Sequence, residues 1–541
     1  MKKYIFMVMT LICGISCDSD FLDKKPLDAI SEENVFNDDV LLTAYVTACY
    51  NAIPHGFDEA MMSSTTDETY SRHGSNSSVL VSRGEMNPDN ITAFDSRRFS
   101  NFNYWSTAYE QLRNINTFFE KIDAAMVSDD VKTQLTGEIK FIRAFVYANL
   151  IWRFGGVPLI TKTYSLTDTD YTIQRNTYDE CVDFIVKELD EAIGYLPAVQ
   201  SGSGYGKASA NACKALKSRV LLYAASPINN PGNDRGKWEK ASAAALAVIQ
   251  LSEHHLYEDY RKIFLVNNDE VIFQRQFTKG NGTMMNVFNS PNGYGGWGGN
   301  CPIQNLVDDY ELKETGKKPS ESGSGYDPAN PYAGRDPRFD ATVLYNGAMF
   351  RGRPVETFIP DGQDTNEGKV GSWNCSLTGY YLHKYHDENQ VLNESDRVTQ
   401  PWVFFRLAEF YLNYAEAQYN LGNEEACREY INRVRDRPGV EMPHVTATGA
   451  ELLEKLRNER RIELAMENHR YYDLRRWQIA DEYENKPAIG IQILKNGDGS
   501  FTYNAITVLE RHFYPQHYWL PIPRDEITKS GNTLVQNPYY D

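Results

Sequence analysis

NERRIELAMENHRYYDLRRW, residues 458–477, is the most enzyme-like stretch of the chain. Glu463 and Glu467 lie four apart, on one face of any helix that holds them, with His469, Arg470 and Asp473 close behind. Two carboxylates can divide the acid and base work of glycosidic-bond hydrolysis. Arg460, Arg461, Arg470, Arg475 and Arg476 stand around them, however, and nearby cations hold carboxylates ionised where a general acid must keep its proton. Carboxylates on one helix also sit side by side and do not flank a substrate. A structural ion-pair network is the favoured reading, and a glycoside hydrolase using Glu463 and Glu467 the second.

Other motifs fall short of chemistry. His383 and His386 are three apart in LHKYH, with no third ligand placed to complete a metal site. SGSGYGKAS, 201–209, lacks the first glycine and the Ser/Thr of a phosphate loop, so it reads as a linker and a helix start. DGQDTNEG, 361–368, misses the calcium-loop register, and no Gly-x-Ser-x-Gly elbow occurs. Nothing calls for a cofactor or a metal. Tryptophan is more informative. Trp105, Trp152, Trp238, Trp402, Trp477 and Trp519 sit in apolar settings and read as core. Trp297 in NGYGGWGGN and Trp373 in KVGSWNCS sit in glycine-rich and polar loops, where stacking on a ligand supplies a reason for a large ring.

The elements that must carry these loops are mostly helices. Apolar positions recur at helical spacing over 108–126, 132–152, 178–196, 208–225 and 238–251. From 401, FFRLAEFYLNYAEAQYNLG and EEACREYINRVRDRPG form a helical hairpin about a turn at Gly422-Asn423, resembling a tetratricopeptide unit. Between 252 and 400, clusters of Gly, Asn, Asp and Pro interrupt short strand candidates at 271–277 and 341–350. The expected fold is therefore mainly α: a superhelical scaffold of helix pairs over 40–251 and 401–541, within one domain (40–541), and a loop-rich insertion with a few strands over about 252–400.

At the N-terminus, Lys2 and Lys3 precede an apolar run that ends at Cys17. The run is about half the length needed to span a bilayer, so residues 1–16 read as a signal peptide and Cys17 as a lipid acceptor. Residues 17–39 then form a tether and docking segment. A formal charge of -18 argues against nucleic acid. Setting aside Cys13 and Cys17, six scattered cysteines without a CxxC pair exclude a disulfide scaffold or a zinc ribbon, and leave room for one unassigned disulfide. Aromatic residues make up 13%, an excess that suits both cores and sugar stacking.

Taken together, FLDKKPLDAISEENVF, IRAFVYANLIWRFGGVPL, LKSRVLLYAAS, NPYAGRDPRF, RLAEFYLNYAEAQYNLG, INRVRDRPG, ERRIELAMENHRYYDLRRW, YWLPIPRDEI and QNPYY resemble the SusD/RagB family of Bacteroidetes lipoproteins over nearly the whole chain. The resemblance implies a surface-exposed outer-membrane protein without catalysis. Such a protein lies over a SusC-like TonB-dependent transporter and captures oligosaccharides or, in the RagB branch, peptides. It also implies an arc of aromatic rings from three loops. Trp297 matches the second ring and Phe350 the third, while Met86 stands where many members have the first, a tryptophan. Asp67, Arg72 and Asn90 match hydrogen-bonding neighbours of that arc. A peptide-capturing or purely scaffolding module remains a third reading, to which Met86 gives room.

Overall fold

The computed structural model describes residues 32–73, 77–95, 102–165, 167–168, 172–369, 373–390, 392–393, 395 and 397–540. The signal peptide, Cys17 and most of the tether lie outside the described residues.

The chain enters on α1 (Asp39–Cys49), whose N-cap Asp38 accepts from the backbone of Val40 and Leu41. Then follow α2 (Trp105–Lys121), α3 (Asp129–Phe154), α4 (Tyr178–Ile193), α5 (Ala210–Ala225) and α6 (Arg235–Ile249), consecutive ones packed side by side. Helix α3 sits at the centre and is buried all round over Phe141–Phe154, so its apolar residues follow no stripe. It stops at Gly155, whose φ of +75° an L-side chain rarely adopts. The 201–209 stretch is a linker into α5, with Ser209 capping the amide of Ala212 at 3.1 Å.

Helix α7 (Leu407–Asn420) packs directly on α6, although the whole loop-rich stretch separates them in sequence. Ala241 and Ala245 on α6 allow this close approach, and Gln418 donates to Ser242 across it at 2.7 Å. Helix α8 (Glu424–Arg435) completes the expected hairpin, turning at Gly422 with φ +84°. The stack of helix pairs thus runs through the insertion as if it were absent. The insertion begins and ends at one place, because its first strand β1 (Val271–Arg275) pairs antiparallel with the strand that leaves it, β2 (Trp402–Arg406). The longest strands lie elsewhere: β3 (Ala488–Lys495) and β4 (Phe501–Leu509) form a hairpin in the stretch expected to be helical. Its signal is present in the alternation of AIGIQILK and the turn residues NGDGS.

Helix α9 (Gly449–Glu463) and the short α10 (Arg470–Arg476) bring the 458–477 stretch into the interior. Arg406 binds both oxygens of Glu467 at 2.7 and 2.8 Å, Glu463 at 2.6 Å and Glu270 at 2.9 Å. Glu463 also receives Arg437 at 2.7 Å and Arg338 at 2.9 Å, and Lys384 reaches Glu467 at 2.7 Å. Burial favours the neutral form of Glu463, but Arg437, Arg406 and Arg338 outweigh it and hold the carboxyl well below its usual range. Both glutamates are buried and paired, out of reach of a substrate, so the hydrolase reading built on them fails. The network joins the scaffold to both ends of the insertion.

Beside it, Glu68 is buried with Oε1 accepting from the Met466 amide and no partner for Oε2 among the described residues. Burial is the leading cause that pushes its pKa from 4.5 up to about 7. The unfolded chain gives up this proton first, so stability falls as pH rises from about 4.5 to 7. The Glu68→Gln variant has no such loss. It should unfold at a higher temperature than the parent at pH 8, by about 3 kcal/mol in stability, and no higher at pH 4.5.

Candidate functional site

Three parts of the chain meet through backbone pairing. Strand Thr69–Ser71 runs antiparallel to Asn300–Pro302, with Tyr70 opposite Cys301. The Arg72 amide extends this ladder to the Gly299 carbonyl at 2.9 Å, which sets Arg72 and His73 beside the NGYGGWGGN loop. A third segment, 373–376, docks against both: Asn374 donates to the Gly296 carbonyl at 3.0 Å, and Arg72 Nε to the Trp373 carbonyl at 2.8 Å.

The glycines of this loop do not make it loose. They let it pack without side chains against the short helix Met285–Asn289. The Trp297 amide bonds Val287 at 2.8 Å, Gly298 bonds Ser290 at 3.0 Å and Gly299 bonds Phe288 at 2.8 Å. A Cβ on Gly296 would lie 2.2 Å from the Ser290 carbonyl oxygen, and one on Gly299 2.5 Å from the Phe288 ring. Gly298 needs φ +54°. Trp297 is therefore held firmly, half-buried against Phe288 at 5.8 Å between ring centres.

On this base stands an open aromatic surface. Trp373 is 65% exposed, and His73 meets it edge-on at 5.3 Å and 84°. His73 also lies 6.1 Å from Trp297 and 5.1 Å from Phe288, and its Nε2–H donates to the Trp297 carbonyl. Burial, with help from the charge of Arg72, lowers the pKa of His73 despite that bond, so the imidazole is neutral at pH 7. Phe288 also lines a cleft of about 440 Å³, whose walls include Phe57, Met285, Asp58, Glu59, Arg275 and Arg397.

Of the expected site residues, the structure brings together Arg72, Trp297 and Trp373. Four others are corrected. Phe350 is fully buried among Cys301, Leu344, Val355 and Tyr381, because strand alternation turns Met349 outward and Phe350 inward. Met86 is buried in the main core and offers no face to a ligand. Asp67 is buried with its carboxylate on Arg470, at 2.9 Å through both oxygens, and on Arg461; these cations overcome burial and hold it ionised. Asn90 spends its side chain on its own turn, accepting from the Asn87 amide at 2.8 Å and donating to the Glu85 carbonyl at 2.9 Å. Sequence reasoning missed His73, whose only signal was its place next to Arg72.

His383 bonds the Asp340 carbonyl at 2.7 Å, and His386 is buried in contact with Asn286. No group of three His, Cys, Asp or Glu among the described residues could hold a metal ion. The six described cysteines are buried and unpaired. Trp105, Trp152, Trp238, Trp402 and Trp477 are core residues, whereas Trp519 is only half-buried.

Residues 269–540 match the model of the SusD family, and residues 20–222 match one described as starch-binding associating with outer membrane. The chain is similar to the SusD-like protein P25 of Formosa agariphila, with 23% identity over 97% of this chain and 95% of that one. A SusD-like protein of Bacteroides ovatus is 24% identical over 96% of this chain and 92% of its own length. Two solved structures from Bacteroides fragilis are also similar. One, a SusD-like protein, is 29% identical with a TM-score of 0.80, covering 96% of this chain and all of that one. The other, a SusD-like carbohydrate binding protein, is 26% identical with a TM-score of 0.76, covering 92% and 99%. With a helix-pair scaffold interrupted by a loop-rich insertion, and half the sequence matched by its model, the chain belongs to the SusD/RagB family.

Proposed function

We propose that this protein is a cell-surface lipoprotein that captures oligosaccharides and delivers them, without catalysis, to a SusC-like TonB-dependent transporter of the outer membrane. The observation that carries the reading is Trp373, a large ring left 65% exposed and braced by His73 beside Trp297. An exposed ring with a fixed edge stacks on the apolar face of a sugar, while Arg72 and ordered water bond its hydroxyls. A carbohydrate binding relative at 26% identity supports the ligand class. Among the described residues no helix is long and apolar enough to cross a membrane, and acyl chains on Cys17 would supply the anchor.

Calorimetry with oligosaccharides that the purified protein binds tests the platform. The Trp373→Ala variant should keep its unfolding temperature, since the ring is mostly in solvent, and lose about tenfold or more in affinity. Unchanged affinity would remove Trp373 from the site. Release of new reducing ends by the pure protein would overturn the noncatalytic reading.

A further inference from the structure

The aromatic surface carries a cation in a chain whose formal net charge is -18. Most buried arginines are matched by carboxylates, as with Arg219 on Glu409, Arg460 on Asp473 and Arg476 on Glu416. Arg72 is half-buried, and its one described side-chain hydrogen bond uses Nε, on the Trp373 carbonyl at 2.8 Å. No carboxylate among the described residues lies within ion-pair distance of it. Its neighbours are also uncharged. His73 is neutral for the reasons given above. Burial pushes the Tyr70 hydroxyl up, the Cys301 thiol up to about 12 and the Cys375 thiol up. Arg72 acts on all four of these groups, and no described carboxylate does. The platform therefore holds a guanidinium whose terminal nitrogens can take a planar or tetrahedral anion in two parallel bonds.

Resting on the glycan-capture reading, we propose that the ligand is an acidic oligosaccharide. Its carboxylate or sulfate group pairs with Arg72 while a neighbouring sugar ring lies on Trp373. A neutral glycan would leave that cation with water and hydroxyls alone. An acidic one gains a charge-assisted bond to a cation that has no carboxylate among the described residues within ion-pair distance.

The test is an array of neutral, uronate-bearing and sulfated glycans probed with the full chain, followed by calorimetry on the best hit and on its carboxyl-reduced or desulfated form. Hits should be acidic, and removing the anionic group should weaken binding about tenfold or more. The separate uronate and sulfate arms identify which anion is read. The Arg72→Gln variant should lose the preference for the acidic form, and Arg72→Lys should keep part of it; the ratio between the two forms is what is read, because both variants also lose the Nε bond to the Trp373 carbonyl. Added salt should weaken the parent on acidic glycan and leave Arg72→Gln nearly unaffected. Neutral hits alone, or an Arg72→Gln variant that still prefers the acidic form, would overturn this proposal and leave glycan capture standing. No hit of any kind would overturn both.

Discussion

The Glu463→Gln variant should be destabilised by about 3 kcal/mol at neutral pH, measured as a lower urea midpoint with an unchanged slope. Glutamine keeps the volume, so the cost is electrostatic. Arg338, Arg406 and Arg437 all bond this carboxylate, and each is fully buried. Removing one negative charge leaves the three cations with Glu270, Glu459, Glu467 and Asp336. That remaining set is why the loss falls short of complete unfolding. The pH dependence has a definite sign. A carboxyl whose folded pKa is depressed contributes its full stability above its unfolded value and loses it as pH falls through the folded one. The deficit of Glu463→Gln should therefore be greatest above about pH 4.5 and shrink in stronger acid. A deficit of the same size at pH 3 would mean that the charge of Glu463 matters little.

The Gly296→Ala variant should lose affinity about as severely as Trp373→Ala, about tenfold or more, although it adds only a methyl group. The added carbon would sit 2.2 Å from the Ser290 carbonyl oxygen and 2.5 Å from its Cβ, and backbone there cannot swing aside. Ser290 follows the short helix to which the Trp297 amide is bonded, so the loop must give way and take Trp297 with it. Asn374 would lose the Gly296 carbonyl in the same movement, which loosens the Trp373 segment. Calorimetry on the glycan used for Trp373→Ala checks this. Full affinity would show that the position of Trp297 does not matter to the ligand.

These two variants also mark how far the residue order could be read. The ion-pair character of 458–477 was legible from its charge density. The cations on Glu463 and Glu467, however, are Arg338, Arg406, Arg437 and Lys384 from other segments and not the five local arginines. What those local arginines bind was not legible either, since Asp67, Asp309 and Glu416 lie far away in sequence. Helix pairs were legible from apolar spacing, including the hairpin 407–435. The hairpin 488–509 carried its own turn signal and was still read as scaffold.

The candidate surface was legible only in part. Trp297 and Trp373 stood out as large rings in polar loops, and both reach the platform. Phe350, Met86 and Asp67 were carried by resemblance and proved to be interior. Sequence by itself determined the helical scaffold and the place of the insertion, because local periodicity and composition encode which faces must be buried, and its motifs carried the resemblance to the family. Only the tertiary structure decided that Arg72, His73, Trp297 and Trp373 form one surface, and that the glycines hold this surface rigid. Exposure and partnership depend on contacts between segments hundreds of residues apart, and no local pattern contains them.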